Sequence, residues 1–142
     1  MAEKLFEITN ALALFSWLFL IIFPYKEWSR KLLFNLVVIG LALLYLVLIT
    51  QYFDVDTFES FGDLNSLSAM FSEPMSVVIG WTHYLAFDLL AGLYITKDAE
   101  KYAINRFLLV PCQLLTFMMG PVGVFLYFLL RASITKKLIH PF

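Results

Sequence analysis

The sequence predicts an all-α, polytopic membrane protein: four transmembrane helices in one bundle, with an amphipathic interfacial segment between the second and third. Three observations carry this. The 142 residues are 61% hydrophobic. Charged residues make up 15%, against the roughly 25% of soluble domains. Four apolar stretches approach or exceed the roughly 20 residues that span a bilayer as helix. The whole chain, 1–142, reads as a single domain.

The first span is placed at about residues 5–23. Its apolar run Ala11 to Phe23 is short, but Leu5, Phe6 and Ile8 extend it. The leader MAEKLFE lacks the positive charge of a signal peptide and no small-residue cleavage site follows, so an uncleaved span is expected. The second span, about 32–52, has only Asn35 and Thr50 as clear polar interruptions. The third, about 75–96, contains His83 and Asp88. The fourth, about 107–130, has no charge but carries Pro111 and the string GPVG from Gly120 to Gly123. Pro121 cannot donate to the carbonyl of Phe117, so a kink is expected there.

The connections differ in charge. Pro24 to Lys31 and Lys97 to Arg106 each hold three Lys or Arg. Phe53 to Pro74 has five acidic residues and no basic one, with Phe58, Phe61, Leu64, Leu67 and Phe71 at helical spacing. Such a segment suits the membrane interface; it also reads as a surface connector with an apolar underside. Six Lys or Arg in the two short loops against Lys4, Arg131, Lys136 and Lys137 favour both termini outside the cytoplasm, with the basic tail pulling the other way.

The near-zero net charge of −1 provides no basic face for nucleic acid. The only cysteine, Cys112, excludes an internal disulfide and suits a small apolar filler. With His83 and His140 alone, no multi-histidine metal site can be built, and a haem held by His83 has no second motif behind it. No metal or cofactor is expected. The nucleophile-elbow, phosphate-loop, zinc-protease and CxxC signatures are all missing.

The polar residues inside the membrane are the candidate site. At 100° per residue, Trp81, Tyr84 and Asp88 share a helix face, while His83 projects elsewhere, beside Phe87 and Leu90. An ionised carboxylate at mid-span costs about 2.5 to 3.5 kcal/mol, so Asp88 must turn inward and be paired or protonated. A polar line of Gln113, Thr116, Gly120, Gly123, Tyr127 and Arg131 on the fourth span is the expected partner of the Asp88 face, since small residues permit close approach. Two readings of Asp88 stand. It is a hydrogen-bonded strut held by Thr116, Gln113, Tyr84 or a backbone group, or it is a general acid or base in a dry pocket. For His83, a hydrogen bond to a neighbouring helix stands beside a catalytic or ligand role.

GWTHYLAFDLLAG (Gly80 to Gly92), the pair Asp98-Ala99 and RFLLVPCQLLTFMMGPVGVFLYFLLR (Arg106 to Arg131) resemble the membrane domain of the abscisic-acid-deficient-four-like family. The resemblance is specific over about residues 75–131. Plant members are chloroplast proteins needed to make neoxanthin from violaxanthin. The family commonly has Gly-Arg-Trp after the aspartate, whereas here Gly92 is followed by Leu93 and Tyr94. No transit-peptide composition precedes the first span, so a bacterial-type chain in the inner (plasma) membrane is expected.

The resemblance implies acid–base isomerisation of a carotenoid or other isoprenoid lipid. An epoxide opens while a proton leaves the polyene, giving an allene and a tertiary alcohol. It implies catalytic roles for Asp88, His83 and Tyr84, with Asp88 and His83 lining one cavity. Trp81, Phe87, Phe117 and Tyr127 would pack against a substrate entering from lipid, and Gln113, Thr116 and Arg131 supply polar groups along the fourth span. The expected partners are membrane lipids, the apolar ligand and, as an open point, further copies of the chain. The competing reading is a non-catalytic module that binds a pigment or scaffolds a membrane complex. A small transporter is disfavoured by the single buried acid.

Overall fold

A computed structural model describes residues 1–136, apart from the side chain of Asp56. Lys137 and His140 lie outside the described residues. Among those described there are helices and no strands. Helix α1 spans Ala2–Ile22. Helix α2 (Glu27–Leu32) runs through a π-helical turn, Leu33–Val38, into α3 (Ile39–Tyr52), so that Glu27–Tyr52 is one continuous rod. Short helices α4 (Val55–Glu59) and α5 (Leu64–Met70) follow, joined by a 3-10 turn at Ser60–Gly62. Helix α6 is Pro74–Lys101, α7 is Arg106–Met119 and α8 is Pro121–Thr135.

Three rods are long and apolar enough to cross a membrane: Ala2–Ile22, Glu27–Tyr52 and Pro74–Lys101. Half of the apolar window of α6 is buried, against 28% for the other two, which makes α6 the centre of the fold. One core joins it to α1 and the second rod through Trp17, Leu20, Leu41, Leu85 and Leu89. Another joins its far end to α7 and α8 through Ile95, Ala99, Leu109, Cys112 and Tyr127. Hydroxyls buried along the way bond to the carbonyl one turn back, as Ser16 does to Leu12, Thr82 to Val78 and Thr96 to Gly92, so they need no partner from another helix.

The expected fourth span does not form as one rod. At Gly120 the backbone takes φ +42°, ψ −96° and the chain reverses instead of kinking at Pro121. Three contacts fix the direction of the two arms. Gln113 of α7 meets Thr96, and Gly120 meets Asp88, so α7 descends antiparallel to α6. Tyr127 and Arg131 of α8 return to Asp98, so α8 climbs back alongside. A Cβ on Gly123 would lie 2.1 Å from the Thr116 nitrogen, so glycine there lets the two arms touch. At 1.5 Å per residue the arms are only about 21 and 22 Å long, short of a hydrocarbon core of about 30 Å. The tip reaches Asp88, midway along α6. The two arms form a helical hairpin whose tip packs beside the middle of α6 and whose open end lies beside Asp98.

The hairpin also changes the charge tally. Arg131 and Lys136 lie at the end of the molecule occupied by the two short basic connections, and Lys4 alone among the described cations lies at the other. The turn from α6 to α7 is closed by the Ile104 N–H donating to the Ala99 carbonyl at 2.9 Å, with Ala103 in the left-handed region at φ 51°. Asn105 then caps α7, its side chain accepting from the Phe107 N–H. In the acidic connection Asp63 caps α5 in the same way by accepting from Ser66. Val55, Phe58, Phe61 and Leu64 of that connection are exposed.

Candidate functional site

The site is built where the middle of α6 meets the tip of the hairpin. Trp81, Tyr84 and Asp88 share the α6 face, as the helical spacing predicts. The indole N–H of Trp81 donates to Asn10 Oδ1 of α1 at 2.7 Å, and its ring stacks on Tyr84 with centroids 5.2 Å apart. The Tyr84 hydroxyl donates to the Met118 carbonyl at 3.3 Å and also shares a hydrogen bond with the Asp88 carboxyl. Tyr84 thus ties the acid to the last turn of α7, where the carbonyls lack helical partners.

Asp88 is 7% exposed. Its Oδ1 faces Gly120, and its Oδ2 is buried with no hydrogen-bond partner. Among the described residues no Lys or Arg forms an ion pair with it. With one phenol for company, the carboxyl keeps one buried oxygen that no described residue satisfies. Of the proposed struts, Tyr84 contacts it; Thr116 bonds to the Cys112 carbonyl and Gln113 to Thr96 instead.

His83 is exposed on the outer side of α6, between Tyr45 at 5.3 Å and Phe87 at 4.7 Å between ring centroids. It does not meet Asp88, and Phe87 stands with it, 59% exposed. The expected shared cavity of Asp88 and His83 is therefore not formed. Phe117 is close to the acid's end of the bundle and packs on Trp17, 5.6 Å between centroids.

The remaining candidates form a separate polar cluster at the basic end. Arg131 is 1% exposed and its Nε lies 3.0 Å from Asp98 Oδ2, which also accepts a 2.6 Å hydrogen bond from the Tyr127 hydroxyl. The guanidinium rests 4.4 Å from the centroid of the Tyr102 ring. Gln113 donates to Thr96 Oγ1 at 2.9 Å, with its own Oε1 unpartnered. Asp98 lies ten residues beyond Asp88, about 15 Å along the helix. The polar line therefore divides: Gly120 serves Asp88, and Arg131 serves Asp98.

Sequence reasoning placed Asp98 in a connection and missed its role. The signal was present, because an arginine beside an apolar run demands a carboxylate. Asn10 gave no comparable signal: its position on α1 opposite Trp81 depends on packing alone.

The sequence model of the family described as ABA DEFICIENT 4-like matches residues 4–127. No curated protein and no solved structure matches the chain.

Proposed function

The chain belongs to the ABA DEFICIENT 4-like family, and from that membership we propose an integral protein of a bacterial plasma membrane that isomerises a carotenoid-type isoprenoid by acid–base chemistry. One observation supports this most: Asp88 is buried and, among the described residues, has no counter-ion and an oxygen left unbonded. Asp88 gives its proton to the oxygen of an epoxide on the end ring as the carbon–oxygen bond breaks. The carboxylate so formed takes up the proton leaving the polyene carbon, so the acid is restored and the product is an isomer carrying an allene and a tertiary alcohol. Tyr84 holds the carboxyl in place through its bonds to Asp88 and the Met118 carbonyl. The substrate approaches from lipid past Met118, which is 69% exposed, and lies against Trp81 and Phe117. Exclusion of water favours such proton transfers.

The charge distribution supports an orientation with the hairpin's open end, Lys97, Lys101, Arg106 and Arg131 in the cytoplasm and α1 starting outside it.

The test is expression in a carotenoid-producing host, with pigment extracts compared for the wild type and Asp88→Asn. The wild type yields a product of unchanged mass and altered absorption, and the variant yields none. Undiminished product from Asp88→Asn overturns the proposal. The outward aromatic group of Tyr45, His83 and Phe87 favours a second reading, a module that binds a pigment without converting it. That reading expects coloured purified protein, no new product and indifference to Asp88→Asn.

A further inference from the structure

A cavity of about 380 Å³ opens at the basic end of the bundle, between α6 and the rod Glu27–Tyr52. Its rim carries three cations, Arg30, Lys31 and Lys97, and one carboxylate, Glu27. Its floor is apolar: Phe34, Leu90 and Leu93. Glu27 is engaged by Lys31 at 2.8 Å. Arg30 is fixed in place by Glu100 and by the Pro24 carbonyl. Lys97 is one turn in from the end of α6 and lines the same mouth.

The backbone is unusual here as well. Phe34 and Asn35 belong to the π-helical turn Leu33–Val38, which interrupts an otherwise α-helical rod at this wall. Such turns recur at functional sites because the extra residue re-aims side chains and opens the helix surface. The Asn35 amide is held by donating to the Lys31 carbonyl at 2.8 Å.

We propose that this cavity binds the phosphodiester headgroup of an anionic membrane phospholipid, with the upper part of one acyl chain lying on Phe34, Leu90 and Leu93. The chemistry is that of a phosphate ester anion, and the apolar floor beneath the cations selects a lipid over free phosphate. Clustered cations above an apolar groove at the basic face of a membrane protein meet a leaflet rich in anionic lipid. Lys97 and Lys31 supply the point charges that meet the phosphate, while Arg30, its guanidinium taken up by Glu100 and the Pro24 carbonyl, lines the rim. The site is independent of the chemistry at Asp88, which lies on a different face of α6.

The experiment uses the whole protein in neutral detergent, incubated with phosphatidylglycerol or phosphatidylcholine and read by native mass spectrometry for retained lipid. Phosphatidylglycerol is retained in preference to phosphatidylcholine by the wild type. Removing two cations with Lys31→Gln/Lys97→Gln lowers phosphatidylglycerol affinity roughly 30-fold, from about 1 kcal/mol per charge. The pair Lys101→Gln/Lys136→Gln removes the same charge outside the cavity and leaves retention unchanged. Equal retention of the two lipids, equal loss in both charge pairs, or displacement of the lipid by millimolar inorganic phosphate would each overturn the proposal. Because neither exposed lysine pair is packed in the core, folding is checked for both by their unfolding temperatures.

Discussion

The Asp88 carboxyl occupies the space that a side chain at position 120 would need: a Cβ on Gly120 would come within 2.6 Å of Asp88 Oδ1. The acid on α6 and the reversal between α7 and α8 are thus one structural unit. The glycine is required twice, once for its positive φ and once for the missing Cβ.

Gly120→Ala is expected to destabilise the detergent-solubilised protein by about 2 to 3 kcal/mol, combining backbone strain with the clash. Adding Asp88→Ala to it should recover the clash portion and leave the strain. Gly40→Ala is the control, since nothing lies within 4 Å of a Cβ there; it should add about 0.5 to 1 kcal/mol as glycine leaves a helix interior. Thermal unfolding of the four proteins checks this, and an unchanged Gly120→Ala midpoint would refute the coupling.

Asp98 and Arg131 behave differently from Asp88, because they form a buried ion pair with each other. Asp98→Asn or Arg131→Met alone should cost about 3 to 5 kcal/mol by leaving a buried charge uncompensated. The double variant should recover much of that loss in a double-mutant cycle. Asp88→Asn should cost far less, having no ion pair to break. Similar losses in all three single variants would contradict the division of the polar residues into two groups.

Gly92 is where the Trp17 ring lies against α6: a Cβ would fall 2.3 Å from Trp17 Cη2. Trp17 is 1% exposed and has no room to swing away. Gly92→Ala should therefore cost about 1 to 3 kcal/mol through overpacking. Trp17→Phe on the same background should return part of it, as measured by chemical or thermal unfolding.

Acid should loosen the connection between Tyr52 and Pro74 before it affects the rods. Hydrogen bonds from Thr57 hold the Asp54 carboxyl below its ordinary 3.8, and bonds from Ser66 do the same for Asp63. A folded-state value below the unfolded one means that the capping contribution is present above about pH 4 and fades as pH falls through the lowered value. Amide exchange at Thr57 and Ser66 should accelerate over that range while exchange in α6 stays constant. Parallel acceleration in both would show that the caps are not the cause.

Much of the architecture was legible in composition and spacing. Apolar runs located the rods because a bilayer requires uninterrupted apolar length, and the 100° rotation put Trp81, Tyr84 and Asp88 on one face and His83 on another. The hairpin was not legible. Phe107 to Leu130 is long enough to span and carries no charge, and a Gly-Pro pair suits a kink or a reversal equally well. What decides is tertiary: Arg131 finds Asp98, and Gly123 lets the arms close. That decision moved Tyr127 and Arg131 away from Asp88, so the candidate site shrank to fewer residues, kept Gly120 and gained Asn10 from elsewhere in the chain.

Because α7 and α8 turn back beside the middle of α6, the described residues hold three rods long and apolar enough to cross a membrane and one returning hairpin. If all three rods cross, the first and last helical residues are expected on opposite sides of the bilayer. A protein tethered at one of them is separated from a protein tethered at the other by the bilayer itself, so tags placed at positions 2 and 135 will respond to reagents added on opposite sides.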